Sequence, residues 1–215
     1  MNNKSYHFAA DLGATSGRTI LASFDGEKVE MREVSRFKYP MIPANGHLYW
    51  NLPLIYQEIL EGLKKTDVRL SSIGIDTWGC DVAYFHRDGS LSHLPYAYRD
   101  PHTEGAVERF ASKIPLDEVY ARTGIQFMDF NTLDTIHRNE PEVIESADKI
   151  LFIPDALAYM LTGNAVCEFT VASTSQMLNP ETGDFDGELL KAIGIPREKF
   201  GKMVNPGTVI GTLTS

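Results

Sequence analysis

Apolar and polar residues alternate along three segments at the start of the chain. An apolar run from Phe8 ends at Asp11, and "RTILASF" alternates from Arg18 to Phe24. Alternation with a period of two, in residues that are often β-branched or aromatic, indicates strands. The small polar residues between the two runs predict the turn of a hairpin. "KVEMREVSRFKY" at 28–39 alternates again and predicts a third antiparallel strand, which completes a meander.

A helical period follows the meander. Asn51 stands at an N-cap position and Pro53 in the first turn, ahead of apolar residues spaced three and four apart over 52–63. The next strands are predicted through Ile75 and through Phe85, with a turn at 88–89. Further elements are predicted near His102–Ile114 (helix), Leu116–Arg122 (helix), Asn131–Ala147 (helix interrupted at Pro141), 149–153 (strand), Pro154–Gly163 (helix), Asp186–Ile193 (helix) and in the final "NPGTVIGTLTS" (strand).

This order of elements defines the predicted fold class. An antiparallel meander followed by strand and helix units predicts an α/β domain with a mixed sheet flanked by helices. It is the order expected of an actin-like ATPase or ribonuclease H-like domain. Because the sequence has no repeat, low-complexity tract or Gly/Ser-rich linker, we predict that residues 1–215 form a single domain.

Composition narrows the possible partners and location. The 215 residues carry a formal net charge of −9, which argues against nucleic acid or an anionic membrane as the main partner. The first apolar segment is broken by Asp11 and is too short for a signal peptide or a membrane span, so we expect a cytoplasmic protein. Cys80 and Cys167 have neither the spacing of a disulfide framework nor that of a zinc site.

The turn "DLGATSGR" is the first candidate site. Neither the Walker spacing nor the dinucleotide-binding spacing is present, and a strand rather than a helix follows. Successive backbone N–H groups in a turn of small residues can bind phosphate oxygens, and Arg18 adds a permanently charged fork of donors. Asp11 suits such a site if hydrated Mg²⁺ lies between its carboxylate and the phosphate. The alternative is an ordinary β-turn in which Asp11 and Arg18 form an ion pair.

The second candidate site is "GIDTWGCD" at 74–81, where another apolar strand ends. Ligands bind at strand ends in open α/β sheets. Trp78 offers a flat apolar face for a sugar ring, Gly79 allows a polyhydroxyl ligand to reach the backbone, and Asp76 and Asp81 can accept hydroxyl hydrogen bonds. The alternative is a core tryptophan, with both aspartates capping turns.

Seven stretches spread along nearly the whole chain can be taken together. They are "DLGATSGR", "SIGIDTWGCD", "YRD", "TGIQFMDFNTL", "PDALAYMLTG", "ASTSQMLN" and "NPGTVIG". Together they resemble the FGGY family of carbohydrate kinases, and "GIDTWG" and "GIQF..FNTL" resemble the branch of that family that acts on L-rhamnulose. Thr15 stands where serine is common and Cys80 where valine is expected. Taken by itself, "YRD" at 98–100 is interpreted as a surface ion pair, with Arg99 directed at a substrate as the alternative.

The resemblance implies an ATP-dependent kinase that transfers the γ-phosphoryl group to the 1-hydroxyl of L-rhamnulose, in rhamnose catabolism. Its implied site residues are Ala14, Thr15, Ser16, Gly17 and Arg18 for the ATP phosphates, Asp11 for Mg²⁺ held through water, and Gly79 for the sugar. Trp78 and Asp81 complete the predicted sugar-binding set.

The resemblance also implies a missing part. In the family, an aspartate of an "HDT"-type motif accepts the proton of the sugar hydroxyl, and it lies beyond the equivalent of "NPGTVIG". The adenine site lies on the second domain. We therefore expect residues 1–215 to be an N-terminal domain, inactive without its C-terminal domain. The alternatives are a kinase for L-fuculose or xylulose, a non-catalytic sugar-binding module, and an actin-like assembly or chaperone ATPase.

Overall fold

The structure is a computed structural model that describes residues 4–138 and 141–214. The strands are β1 (Ser5–Leu12), β2 (Ser16–Phe24), β3 (Val29–Lys38), β4 (Ile42–Ala44), β5 (His47–Tyr49), β6 (Ser72–Asp76), β7 (Val82–Phe85), β8 (Leu91–His93), β9 (Lys149–Phe152), β10 (Val166–Glu168), β11 (Leu178–Asn179), β12 (Asp184–Phe185) and β13 (Lys202–Val204). The α-helices are α1 (Leu52–Lys64), α2 (Ala106–Phe110), α3 (Leu116–Thr123), α4 (Thr132–Arg138), α5 (Pro141–Ser146), α6 (Ile153–Thr162), α7 (Phe169–Ser173) and α8 (Gly187–Ile193).

Contacts between residues that are close in space divide the chain into two compact units. The first unit extends to Ile42 and resumes over Trp50–Trp78. The second unit consists of Pro43–Tyr49 and the chain from Gly79 onward. The assignment of residues 1–215 to one domain stays a prediction beside this division.

The first unit is built on a four-stranded mixed sheet in the order β3-β2-β1-β6. β1 pairs antiparallel with β2, and β2 pairs antiparallel with β3, so the predicted meander is confirmed. β6 joins the other side of β1 in parallel. Along β2, buried residues alternate with partly or fully exposed ones, as expected of a sheet that is packed on one face.

Helix α1 packs on this sheet where the sequence predicts it. The side chain of Asn51 caps the helix by accepting a hydrogen bond from the Leu54 amide at 3.1 Å. Leu52, Ile55 and Ile59 are fully buried. Gly62 allows a close approach to the sheet, because a Cβ at this position would stand 2.6 Å from Oγ1 of Thr19.

The second unit surrounds a sheet in the order β8-β7-β9, in which β7 is antiparallel to both neighbours. All four residues of β7 are buried, which matches the short continuous apolar run in the sequence. Helices α3 and α6 end at the predicted residues, Gly124 and Gly163, both of which adopt the left-handed conformation. In the described ranges, no helix is both long enough and apolar enough to cross a membrane.

Two predictions of secondary structure are wrong in the second unit. The helix predicted over His102–Ile114 is a single 3-10 turn, Pro101–Thr103, followed by the short helix α2, because Gly105 has a φ of +66° that interrupts a regular helix. The strand predicted in "NPGTVIGTLTS" is irregular over the described residues up to 214, with a turn at Gly207. The preceding residues form β13 instead, which pairs in parallel with β10.

Candidate functional site

In the hairpin turn between β1 and β2, the carbonyl groups of Gly13, Thr15 and Ser16 accept hydrogen bonds, whereas two amides are open. The Gly13 amide donates to the carbonyl oxygen of Ser16 at 3.0 Å. The hydroxyl of Tyr39 donates to the carbonyl oxygens of Gly13 and, at 3.1 Å, of Ser16. Within the described part of the chain, the amides of Ala14 and Thr15 make no hydrogen bond. Thr15 is exposed, so these amides can serve a ligand.

Gly17 is buried, and packing requires it to be a glycine. A Cβ at this position would stand 2.6 Å from Cδ2 of Leu12 and 2.8 Å from Cζ of Phe37. The missing side chain therefore makes room for the core of the sheet rather than for an approaching phosphate. A contact of the Gly17 backbone with phosphate stays a prediction.

Four charged residues form one row across the four strands. The pairing register places Arg36 opposite Arg18, Arg18 opposite Asp11, and Asp11 opposite Asp76. Directly paired residues project from the same face of a sheet. Oδ2 of Asp11 accepts from Nε of Arg18 at 2.7 Å and lies 2.6 Å from its second guanidinium nitrogen. The ion pair that the ordinary-turn alternative predicts is thus present.

This ion pair remains open to solvent, since the side chains of Arg18 and Asp11 are 46% and 38% exposed. An exposed pair contributes only about 0–1 kcal/mol to stability, so exchanging it for contacts with a ligand costs little. Three N–H groups of the Arg18 guanidinium remain for other acceptors.

The carboxylates at Asp11 suit a magnesium ion that is shared with phosphates and water. They do not form a metal site made of protein ligands alone. Among residues 4–138 and 141–214, no three Asp, Glu, His or Cys side chains are grouped to hold a metal ion. Mg²⁺ keeps several of its waters and is held by one or two carboxylates together with substrate phosphates. Asp11, with Asp76 directly opposite it on β6, offers this combination.

Trp78, at the end of the first unit, belongs to an aromatic cluster. Its ring centroid lies 4.2 Å from that of Trp50, which is fully buried, and 6.1 Å from that of Tyr39. Trp78 itself is half-buried. Burial, helped by the charge of Asp11, raises the pKa of the Tyr39 hydroxyl far above its usual value, so this hydroxyl stays a donor at neutral pH. Tyr39, which sequence reasoning missed, thereby joins the aromatic cluster to the hairpin turn.

The second candidate turn, Gly79–Asp81, begins the long segment of the second unit and is strained. The amide of Asp81 donates to the carbonyl oxygen of Gly79 at 2.9 Å, and Cys80 between them has a φ of +73°. These two features define a γ-turn of the rare form with positive φ. Strained backbone outside glycine persists only where the surroundings hold it, and it concentrates at functional sites.

Two threonine hydroxyls hold this turn. Oγ1 of Thr132 donates to the carbonyl oxygen of Cys80 at 2.7 Å, and the amide of Cys80 donates to Oγ1 of Thr174 at 3.4 Å. A Cβ at Gly79 would stand 2.7 Å from the same Thr174 oxygen. Sequence reasoning did not single out either threonine. The only signal was their position in "FNTL" and "ASTSQ", two stretches that carry the family resemblance.

A buried polar network ties together the two loops that bring these threonines. The side-chain amide of Asn131 donates to the carbonyl oxygen of Gln126 at 2.8 Å and to Oε1 of Gln176 at 2.9 Å. Gln176 is fully buried and has a φ of +61°. In addition, the amide of Leu133 donates to the carbonyl oxygen of Ser175 at 3.0 Å. The segments before and after Thr132 and Thr174 are therefore held at fixed positions in the second unit.

Asp81 is only 1% exposed, and one of its carboxylate oxygens accepts from the amide of Tyr98 at 3.3 Å. A direct role of Asp81 in binding sugar stays a prediction. Burial, with the neighbouring charge of Asp81 adding to it, raises the pKa of the Cys80 thiol to about 11, so this thiol is protonated at neutral pH.

The surface ion pair interpreted from "YRD" is not formed in the part of the chain that the structure describes. The guanidinium of Arg99 lies over the ring of Tyr98, 5.3 Å from its centroid. Asp100 is buried and accepts from the ring nitrogens Nδ1 of His102 at 2.6 Å and of His47 at 3.1 Å. Asp100 is therefore an internal anchor for β5 and the 3-10 turn.

Solved structures with a similar fold include carbohydrate kinases. The chain matches gluconate kinase from Lactobacillus acidophilus with a TM-score of 0.86 and 23% identity, over 99% of this chain and 44% of that one. It matches a carbohydrate kinase from Novosphingobium aromaticivorans with a TM-score of 0.81 and 25% identity, over 98% and 44%. The predicted actin-like α/β fold class is confirmed by these likenesses.

The sequence model of the N-terminal domain of the FGGY family of carbohydrate kinases matches residues 6–215. The chain therefore belongs to the FGGY family of carbohydrate kinases, as the resemblance implied.

Curated relatives of this chain carry a narrower name. It is 52% identical over 98% of its length to a rhamnulokinase of Bacteroides thetaiotaomicron and 38% identical over 96% to a rhamnulokinase of Ligilactobacillus salivarius. It covers 45% and 43% of those proteins, respectively. The chain thus spans less than half the length of these relatives.

Proposed function

We propose that this chain is the N-terminal part of an ATP-dependent kinase that phosphorylates L-rhamnulose at its 1-hydroxyl. The observation that carries the proposal is the hairpin turn, which presents two unbonded amides beside Arg18 and Asp11. The identity of 52% to a rhamnulokinase supports the choice of sugar.

The proposed phosphate site is the stretch Ala14–Arg18. The amides of Ala14 and Thr15 donate to phosphate oxygens, Ser16 adds a hydroxyl, and Arg18 adds a positive charge on a planar fork of donors. Phosphoryl transfer depends mainly on alignment and charge neutralisation, which is the chemistry that such a preorganised turn supplies.

The proposed role of Asp11 is to hold Mg²⁺ through water, with Asp76 available on the neighbouring strand. A magnesium ion held there would supply positive charge that neutralises the ATP phosphates. Arg18 balances the two carboxylates in the absence of the ion, because like charges paired directly across strands destabilise a sheet.

The proposed sugar contacts are Trp78, Gly79 and Asp81. The half-buried indole of Trp78 gives an apolar face to the sugar ring, and Gly79 gives a backbone contact. Asp81 is the acceptor for a sugar hydroxyl in this proposal, and its fixed bond with Tyr98 supports a rigid position.

A C-terminal domain supplies the general base and the adenine site in this proposal. The coverage of less than half of the relatives supports it. We expect the isolated 215-residue chain to lack ATP-dependent kinase activity. We also propose that the protein acts in the cytoplasm, where ATP is available.

A panel of L-rhamnulose, L-fuculose and xylulose with ATP and Mg²⁺, assayed on the full-length protein, tests the function. The proposal expects the highest kcat/KM on L-rhamnulose. If another ketose is preferred, the protein is a kinase with a different substrate. If sugar binds independently of nucleotide and is not phosphorylated, the protein is a sugar-binding module rather than a kinase.

A further inference from the structure

We propose that the hydroxyls of Thr132 and Thr174 position the Gly79–Asp81 turn so that the Gly79 amide meets an oxygen of the ketose. The two threonines are then positioning residues that help to set ketose affinity and choice. This inference rests on the proposed function and adds to it the backbone group that binds the sugar and the side chains that aim it.

The first step is that the turn needs support. Cys80 occupies the left-handed region at a φ of +73°, which residues with a side chain rarely adopt. Thr132, which is fully buried, bonds the carbonyl group of Cys80, and Thr174 accepts from its amide. Both polar groups of the strained residue are therefore fixed from outside the turn.

The second step identifies the group that remains for a ligand. The carbonyl oxygen of Gly79 accepts from Asp81, and the carbonyl oxygen of Asp81 accepts from the amide of Ile153 at 3.3 Å. In the described ranges, the Gly79 amide has no hydrogen-bond partner. An amide is an obligatory donor, so it fits a hydroxyl or carbonyl oxygen of a ketose.

The third step concerns Thr174, which is itself held in place. Its hydroxyl donates to the carbonyl oxygen of Val171 at 2.8 Å, which fixes its rotamer at the end of α7. The same oxygen lies 2.7 Å from the position of a Cβ at residue 79. Thr174 thus lies directly against Gly79, where a shift of its side chain moves the glycine.

The test uses the full-length protein with Thr132→Val and Thr174→Val, which keep the shape and remove the hydroxyl. Each loses one hydrogen bond to the turn, and Thr174→Val also loses the bond to Val171, so we expect KM for the ketose to rise about five- to tenfold, with KM for ATP unchanged. Thr132→Ser and Thr174→Ser keep the hydroxyl and are expected to restore the ketose KM. Combining Thr174→Val with Cys80→Gly is expected to reduce the defect, because glycine adopts positive φ without support.

Thr123→Val is the matched control. Oγ1 of Thr123 donates to the carbonyl oxygen of Val119 at 2.9 Å and accepts from the amide of Ile125 at 3.4 Å, the same arrangement as at Thr174. Removal of the Thr123 hydroxyl is expected to leave the KM values for ketose and ATP unchanged. Wild-type ketose KM in both valine variants at the turn would overturn the inference, and so would an equal rise in the KM values for ketose and ATP.

The alkylation rate of Cys80 by iodoacetamide, followed by mass spectrometry, gives a readout that needs no kinase activity. Burial raises the pKa of the half-buried thiol in the held turn, and release of the turn by Thr132→Val is expected to speed its reaction about fivefold. Thr174→Val also removes a hydroxyl that lowers the pKa of this thiol, so its expected acceleration is smaller. If the wild type phosphorylates no ketose, the proposed function fails and these rates alone decide whether the hydroxyls hold the turn. Unchanged rates in both valine variants would show that they do not.

Discussion

The hydroxyl of Tyr39 lies 3.1 Å from the carbonyl oxygen of Ser16 and donates to it, although 23 positions separate the two residues. The same hydroxyl bonds the carbonyl oxygen of Gly13, so one side chain holds both ends of the hairpin turn. Besides its own bond between Gly13 and Ser16, the turn therefore depends on a distant residue that directly follows β3.

Removing this hydroxyl should loosen the turn. Tyr39→Phe leaves the Gly13 carbonyl group without a donor and the Ser16 carbonyl group with the Gly13 amide alone, so we expect the free energy of unfolding to fall by about 1–3 kcal/mol and KM for ATP to rise about tenfold. Urea unfolding and steady-state kinetics measure the two effects. Tyr120→Phe, at a tyrosine that is 54% exposed, is the control. A loss of stability with no change in KM for ATP would show that the Tyr39 hydroxyl does not contribute to ATP binding.

Asp11→Ala should lower kcat of the full-length enzyme by about 10²-fold or more, because magnesium loses its positioning carboxylate. Mn²⁺ binding in the presence of nucleotide, followed by electron paramagnetic resonance, should weaken in parallel. Glu33→Ala is a matched control, since Glu33 forms a similar exposed pair with Arg36 at 2.6 Å on the same sheet. Undiminished turnover of Asp11→Ala would remove Asp11 from the mechanism.

Gly17→Ala should destabilise the first unit by about 1–3 kcal/mol, because its methyl group overlaps Leu12 and Phe37. The control is Gly74→Ala on β6, where a Cβ meets nothing within 4 Å. That substitution should change stability by about 0.5 kcal/mol or less. Denaturant midpoints of the two variants should therefore differ clearly, and equal midpoints would contradict the packing explanation.

Stability should fall as pH rises from 4 to 7. Burial raises the pKa of Asp155 to about 7, against an opposing contribution from the Glu168 amide, which donates to its carboxylate at 3.1 Å. Burial likewise raises the pKa of Asp134 to about 7, and the nearby Asp129 and Glu108 add to it. The folded protein then retains protons that the unfolded chain releases near pH 4, so unfolding becomes easier until pH 7 and levels off above it.

Asp155→Asn tests this pH dependence, since the amide cannot ionise and still accepts from Glu168. We expect a shallower fall between pH 4 and 7, and a gain of about 1–3 kcal/mol over the wild type at pH 8. Asp117→Asn, at an exposed position, serves as control. Parallel stability curves for Asp155→Asn and the wild type would contradict the assignment.

The elements that the sequence predicts well are those encoded by neighbouring residues. The meander follows from alternation along each strand, and α1 follows from Asn51 and the apolar spacing after it. The apolar residues of "NPGTVIGTLTS" wrongly predict a strand. This segment is instead held by individual hydrogen bonds to residues that are distant in the sequence. The amide of Thr214 donating to Leu161 is one such bond.

The sequence indicates where the two candidate turns lie, but it does not indicate which residues hold them in shape. Polar residues at the ends of β1 and β6 mark both turns, because strand ends are exposed to ligands. The bonds that shape the turns come from Tyr39, Thr132 and Thr174, which lie 23 to 94 positions away from their partners. A pattern within one segment holds no information on such contacts. Similarly, the reason for Gly17 appears only once Phe37 is seen to cover it.

The register that aligns Arg36, Arg18, Asp11 and Asp76 gives this face of the sheet an electrical direction, with cations towards β3 and anions towards β6. A ligand that carries its own separated charges, such as a nucleotide with its metal ion, matches that direction in one orientation and is repelled in the reverse one. The register of the strands would thus set the orientation of such a ligand.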